Sequence, residues 1–182
     1  MIICKNLYVL ASAFALSFSV AADAEDLNLG GRSPSKEEVI RALKPSADSD
    51  EAISTRSIKI NPKKTVASQR NAISLEIRFA YDSARLTDES IRQLTPVAEA
   101  LTSGELDSLR FQVEGYTDAK GSDAYNKNLS VRRAATVRNF FVQKHGLNAS
   151  RIQASGYGKS NLLDPTNPNS AVNRRVRIVA MP

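Results

Sequence analysis

Leu109-Arg110-Phe111-Gln112-Val113-Glu114-Gly115-Tyr116-Thr117-Asp118 carries the clearest fold signal in the chain. Leu109, Phe111 and Val113 alternate with Arg110, Gln112 and Glu114, the period of a strand with one face in a core. Glycine and short polar residues then turn the strand into a loop, Gly115-Tyr116-Thr117-Asp118-Ala119-Lys120-Gly121. Beyond it the period lengthens. Leu129, Val137, Phe140 and Phe141 form a helical stripe over about residues 123–144, and Gly146, after Lys144 and His145, closes the helix.

The same grammar extends in both directions. Ile73, Leu75, Ile77 and Phe79 alternate with Ser74, Glu76 and Arg78, which predicts a half-buried strand. Tyr81-Asp82-Ser83-Ala84 turns the chain, and Thr87 or Asp88 caps a helix with the stripe Ile91, Leu94, Val97, Ala98 and Leu101, ended near Gly104. Ile152 and Ala154 begin a third strand, interrupted at Gly156-Tyr157-Gly158. A loop rich in Asn and Pro follows over 159–172, and Val176 and Ile178 alternate with Arg175 and Arg177 in a last strand. The order is β-α-β-α-β-β, an α/β chain folded as an α+β two-layer sandwich over residues 72–182.

Residues 1–22 predict a signal peptide. Lys5 is the only charge before Asp23, the apolar run from Leu7 to Val20 is short for a spanning helix, and Ala22 and Ala24 offer cleavage points. An uncleaved anchor is the competing reading. Cys4 precedes the apolar run, so it cannot serve as a lipidated first residue, and the cleaved chain would hold no cysteine. Losing Lys5 lowers the net charge from +6 to +5.

Residues 23–71 predict a polar linker with one short helix at about 34–44. Ser33 is its expected N-cap, Pro34 its first residue and Pro45 its stop. Val39, Ile40 and Leu43 make a narrow apolar stripe that would dock on a partner or on the domain, and Ile58 and Ile60 would form a short edge strand.

Arg133 is the chemical oddity. It shares a helix row with Leu129 and Val137, so its guanidinium must be partnered or must reach past the core edge. An internal salt bridge to Asp118 or Asp82 is the plain structural explanation. Arg132 and Arg138 fall on other faces, as solvated charges.

Five ordered motifs then identify a family. Phe79-Ala80-Tyr81-Asp82-Ser83-Ala84, Glu114-Gly115-Tyr116-Thr117-Asp118, Tyr125-Asn126-Lys127-Asn128-Leu129-Ser130-Val131-Arg132-Arg133-Ala134, Gly156-Tyr157-Gly158 and Asn173-Arg174-Arg175-Val176 closely resemble the OmpA-like C-terminal domain. That domain is the noncovalent peptidoglycan-binding module of Gram-negative envelope proteins. The resemblance implies a mixed sheet with helices on one face, no cofactor and no metal. It also implies a site for the meso-diaminopimelate of the stem peptide, with Asp118 on the ammonium and Arg133 on the carboxylate. Thr117, Asn126 and the turn containing Asp82 and Ser83 would complete it, while Asn173, Arg174 and Arg175 would fasten the last strand and rim the site. The chemistry fits, because an ammonium and a carboxylate on one carbon need an anion beside a planar donor fork. Tyr116 stands where His is common, which should alter pocket packing, and Ala84 stands where some members carry a polar amide.

Composition bears on the other classes. The 182 residues carry +6 net charge and a pI near 9.6, yet an exported protein seldom meets nucleic acid, so no nucleic-acid partner is expected. His145, the sole histidine, sits at a helix end, and no nucleophile motif or metal set is present. Asp118 with Asp123 would suggest glycan hydrolysis, but no second sign of a sugar cleft accompanies them. The expectation is a non-enzymatic, periplasmic protein, associated with the outer membrane, that binds peptidoglycan. The alternative is an envelope adaptor whose 33–45 helix docks a protein while the domain anchors it. The chain is short for an added β-barrel.

Overall fold

Strand pairing is decided by the last segment of the chain, which enters the middle of the sheet. The computed structural model describes residues 26–45, 71–80 and 83–181. Its strands are β1 (Leu27–Gly30), β2 (Ala72–Leu75), β3 (Arg110–Tyr116), β4 (Ile152–Gly158) and β5 (Val176–Met181), in the spatial order β1-β2-β5-β3-β4. β5 runs antiparallel to both neighbours, and the β1–β2 and β3–β4 pairs are parallel, so the sheet is mixed. Three helices accompany it: α1 (Lys36–Leu43), α2 (Asp88–Leu101) and α3 (Asp123–His145). Ile73, Leu75, Phe111, Val113, Ile152, Val176 and Ile178 face the helices. They meet Val39, Leu43, Leu94, Val97, Leu101, Val137 and Phe141 in one core.

Residues 27–43 belong to this fold, although the sequence reads them as linker. β1 adds a parallel strand outside β2, and the Val39, Ile40 and Leu43 stripe is buried in the domain's own core. Short-range pattern hides this, because the single Leu-Asn-Leu-Gly alternation is too short to mark a strand until its partner is known. Polar contacts hold the segment down. The buried Gln93 of α2 donates to the Gly31 carbonyl and, at 3.3 Å, to that of Arg32. Asp26 forms an ion pair with Arg177 of β5. Leu43→Ala is therefore expected to cost about 3 kcal/mol of folding stability, as a core truncation does, with the loss read as a lower urea midpoint.

The N-cap of α1 lies two residues beyond the expected one. Ser35, not Ser33, caps α1, its hydroxyl accepting from the Glu38 N–H at 3.1 Å, and Pro34 lies before the helix. Ser33 has another task. Pro96 inside α2 has no N–H, which leaves the carbonyl four residues earlier, that of Arg92, without its helical donor. The Ser33 hydroxyl donates to that carbonyl at 3.3 Å. α2 is capped by Thr87 and ends at Thr102, before Gly104, which opens a separate 3-10 turn over Gly104–Leu106. Ile91, expected in the core, is 37% exposed, whereas Ser90 and Gln93 are buried.

β2 stops at Leu75, because β5 begins at Val176, directly opposite, and offers nothing further to pair with. The alternation persists beyond it without a ladder: Ile77 stays buried, and Phe79 makes an isolated bridge to Leu86. β4 continues through Gly156-Tyr157-Gly158, where an interruption was expected. Gly115 and Gly156 face Ser130 of α3 so closely that a Cβ would lie 2.4 Å from its carbonyl oxygen and 2.2 Å from the Val131 nitrogen, respectively. These glycines set how near α3 sits to the sheet. Arg138 is a clamp and not a solvated charge, since its guanidinium donates to the carbonyls of Ile152 at 2.9 Å and Ala149 at 3.2 Å. The signal segment and Ile58 and Ile60 lie outside the described residues.

Candidate functional site

Asp118 is placed by a loop with little freedom. Where β3 ends, the Thr117 N–H donates to the Gly158 carbonyl at 2.8 Å, and the Ala119 N–H donates to Pro168 at 2.9 Å. The buried Asn126 amide donates to the Lys120 carbonyl at 2.7 Å. Asn173, fully buried, accepts from the Asp164 N–H at 2.9 Å and donates to the Asn167 and Pro168 carbonyls, so the 164–168 loop backs the 117–121 loop. The Asp118 carboxylate receives the Lys120 N–H at 3.2 Å and the Arg174 guanidinium at 3.0 Å.

Arg133 approaches from α3. Its Nε donates to the Ser83 carbonyl at 3.3 Å, and its guanidinium carbon stands 4.7 Å from the centre of the Phe79 ring. Among the described residues it forms no ion pair: Arg174 takes the place of the bridge expected to Asp118, and the other expected partner, Asp82, lies outside the described residues. Burial holds the Arg133 guanidinium below its ordinary pKa; nearby Arg174 pushes the same way, while Tyr125 and Asp118 partly offset it.

Both side chains line one open cavity of about 570 Å³, with Phe79, Tyr125, Asn126 and Leu129 as its walls and Thr117, Lys120 and Arg174 at its polar end. A smaller groove of about 220 Å³, bounded by Glu76, Arg78 and Phe79, lies on the other side of Arg133 and Arg174. The cavity thus presents a carboxylate paired with Arg174 beside a planar cation, Arg133, that has no ion-pair partner among the described residues.

The expected site residues separate by task. Asp118, Arg133, Thr117 and Asn126 come together on the cavity. Thr117 and Asn126 spend hydrogen bonds on the loop itself, the Thr117 hydroxyl donating to the Asp118 carbonyl at 3.0 Å. Ser83 presents its carbonyl to Arg133, while its hydroxyl accepts from the Arg85 N–H at 3.0 Å. Asp82 lies outside the described residues. Arg174, Phe79 and Tyr125 line the cavity without having been singled out as direct contacts. Arg174 had a signal, two adjacent arginines ahead of the central strand, but only the fold shows which of them reaches Asp118.

Tyr116 does not touch the cavity. It points to the opposite face of the sheet, where it stacks on Tyr157 at 5.3 Å and donates to Glu114 at 2.9 Å. Burial first, then the Glu114 carboxylate, pushes its hydroxyl pKa far up. Its exchange for the family's frequent His therefore alters that face and not the pocket. Arg175 lies over the same ring at 4.1 Å, with two buried nitrogens that find no hydrogen-bond partner among the described residues. Asp123 is turned away from Asp118. It pairs with Lys159 at 2.6 Å and lines a different groove, so the two carboxylates do not flank one substrate. Among the described residues no cluster of metal-ligating side chains exists, and no helix is long and apolar enough to cross a membrane.

Comparison with known proteins bears on the family and the fold. The OmpA family model matches residues 78–176, more than half of the chain. The chain belongs to the OmpA family. Outer membrane porin F of Pseudomonas aeruginosa is 35% identical over 106 residues, covering 57% of this chain and 30% of porin F. The chain thus spans less than a third of that relative's length. Among solved structures, the peptidoglycan-associated lipoprotein from Burkholderia pseudomallei is 27% identical with a TM-score of 0.50, covering 59% of this chain and 89% of that one. The OmpA-like domain of FopA1 from Francisella tularensis has a TM-score of 0.52 at 24% identity, covering 65% and 78%, which shows the shared fold. With relatives of the outer membrane and periplasm, this OmpA-family chain is a periplasmic envelope protein. β1 and α1 precede the matched residues yet complete the sheet and core of this member.

Proposed function

We propose that this OmpA-family protein binds peptidoglycan noncovalently through the meso-diaminopimelate of the stem peptide and ties envelope components to the wall without catalysis. The observation that carries this reading is the pairing, in one cavity, of the Asp118 carboxylate with an Arg133 guanidinium that has no ion-pair partner among the described residues. A zwitterionic side-chain end suits both: its ammonium competes with Arg174 for Asp118, and its carboxylate takes the Arg133 guanidinium, which forms no ion pair among the described residues. Apolar walls at Phe79 and Leu129 suit the methylenes between the two ends of diaminopimelate. The name of the Burkholderia neighbour, a peptidoglycan-associated lipoprotein, points the same way.

The adaptor reading loses its docking face, since Val39, Ile40 and Leu43 are buried in the domain. Deleting 33–45 would test stability and not partner choice.

Sedimentation with purified sacculi tests the function. The chain should co-sediment with diaminopimelate-type sacculi and stay in the supernatant with lysine-type sacculi; equal retention on both would refute the proposal. Residues 1–22 we propose to be a cleaved signal peptide. N-terminal sequencing of protein recovered from periplasm should then begin at Asp23 or Glu25.

A further inference from the structure

The cavity's polar end holds a feature that its two principal residues do not explain. Asp118 is already engaged before any ligand arrives: one carboxylate oxygen receives Arg174 at 3.0 Å and the other the Lys120 N–H at 3.2 Å. The Asp118 side chain is only 13% exposed, while that of Arg174 is 41% exposed. Arg174 also borders both the main cavity and the smaller groove, beside Arg133. An incoming ammonium thus meets a carboxylate guarded by a cation.

We infer that Arg174 is a specificity-determining residue, a built-in counterion of Asp118 that admits only ammonium groups bringing their own carboxylate. This rests on the binding site proposed above and deepens it. An ammonium alone can reach Asp118 only by displacing Arg174 or sharing with it, which breaks the Asp118–Arg174 pair and leaves Arg174 beside Arg133, where among the described residues only Glu76 of the smaller groove offers another carboxylate. That arrangement is penalised by like-charge repulsion and by an ion left without its partner. A carbon bearing both ammonium and carboxylate changes the balance. Its ammonium takes Asp118, and its carboxylate receives Arg133 together with the released Arg174, so one ion pair is replaced by two. Discrimination then comes from a repulsive element as well as an attractive one. A diaminopimelate side chain satisfies the condition. The lysine side chain, lacking the terminal carboxylate, does not, and neither does diaminopimelate amidated at that carboxylate.

Titration calorimetry on the intact exported chain tests this with two synthetic tetrapeptides, L-Ala-γ-D-Glu-X-D-Ala with X either meso-diaminopimelate or L-lysine. The unaltered chain should bind the first and discriminate strongly against the second. Arg174→Gln should bind the lysine peptide more tightly and lower the ratio of affinities by roughly tenfold, because Asp118 is then unguarded. Arg174→Lys, which keeps a cation there, should recover much of the discrimination. An unchanged ratio in Arg174→Gln, or an equal loss for both peptides, would overturn the inference while leaving the binding site standing. Failure of the unaltered chain to bind either peptide would overturn the proposed function and this inference together. Should Arg174→Gln not fold, guanidinium NMR of the unaltered chain decides. The Arg174 resonance should move on adding the diaminopimelate peptide but not its amidated form, and a resonance that stays still overturns the guard role.

Discussion

Arg133→Ala is expected to abolish retention on diaminopimelate-type sacculi while leaving the fold intact. Among the described residues Arg133 makes one hydrogen bond, to the Ser83 carbonyl, lies over Phe79 and forms no ion pair. A half-buried cation without a counterion contributes little to folding, since desolvation offsets its contacts. Its removal should therefore shift thermal stability by less than about 1 kcal/mol in either direction. Binding is another matter. Truncating one member of a desolvated, hydrogen-bonded charge pair costs about 3 kcal/mol, roughly a hundredfold in affinity. Arg133→Lys keeps the charge but loses the planar fork, so it should recover only part of that loss. Calorimetric affinity and melting temperature, measured on the same samples, separate the two effects. A variant that melts far lower, or that binds normally, would remove Arg133 from the proposed role.

The largest stability loss is expected from Gly156→Val, with Gly115→Ala close behind. A Cβ at residue 156 would stand 2.2 Å from the Val131 nitrogen and 2.6 Å from the Ser130 carbonyl carbon, atoms of helix backbone that cannot rotate away. At residue 115 the nearest atom would be the Ser130 carbonyl oxygen, at 2.4 Å. Either change forces α3 off the sheet and strains a hydrogen bond that crosses there, from the Gly158 N–H to the Ser130 hydroxyl at 2.8 Å. We expect a loss of about 3 kcal/mol or more, a melting temperature lower by roughly 10 °C, read by circular dichroism. Gly104→Ala is the control, because its nearest neighbour would be the Asp107 carboxylate at 3.9 Å, and it should melt near the unaltered protein. Binding should fall with stability in both glycine variants, since Arg133 sits on α3 less than one turn beyond Ser130.

Much of the fold was legible because its elements are long or strongly patterned. The α3 stripe, its Gly146 stop and the alternation of β3 each report a local choice, and all point the same way. The short elements were not legible. β1 has four residues, too few for their alternation to stand out, so its existence depends on the parallel partner β2. Ser33 precedes Pro34 and looks like a cap, but the carbonyl that it serves, Arg92, lies 59 positions away and is unsatisfied only because of Pro96.

The site divides along the same line. Sequence alone placed Asp118 in the loop after β3 and Arg133 on an apolar helix row, the two residues proposed to meet the ligand. Only the tertiary structure decided how their charges are balanced. Arg174 lies 56 positions from Asp118 and reaches it because β5 enters the sheet beside β3, bringing the chain ahead of Val176 to the cavity's polar end. The docking of α1 was decided in the same way: an apolar stripe records that a partner exists, while burial in the domain's own core shows which one. Periodicity and motifs are local properties of a chain, whereas ion pairing and burial belong to residues that meet only after folding.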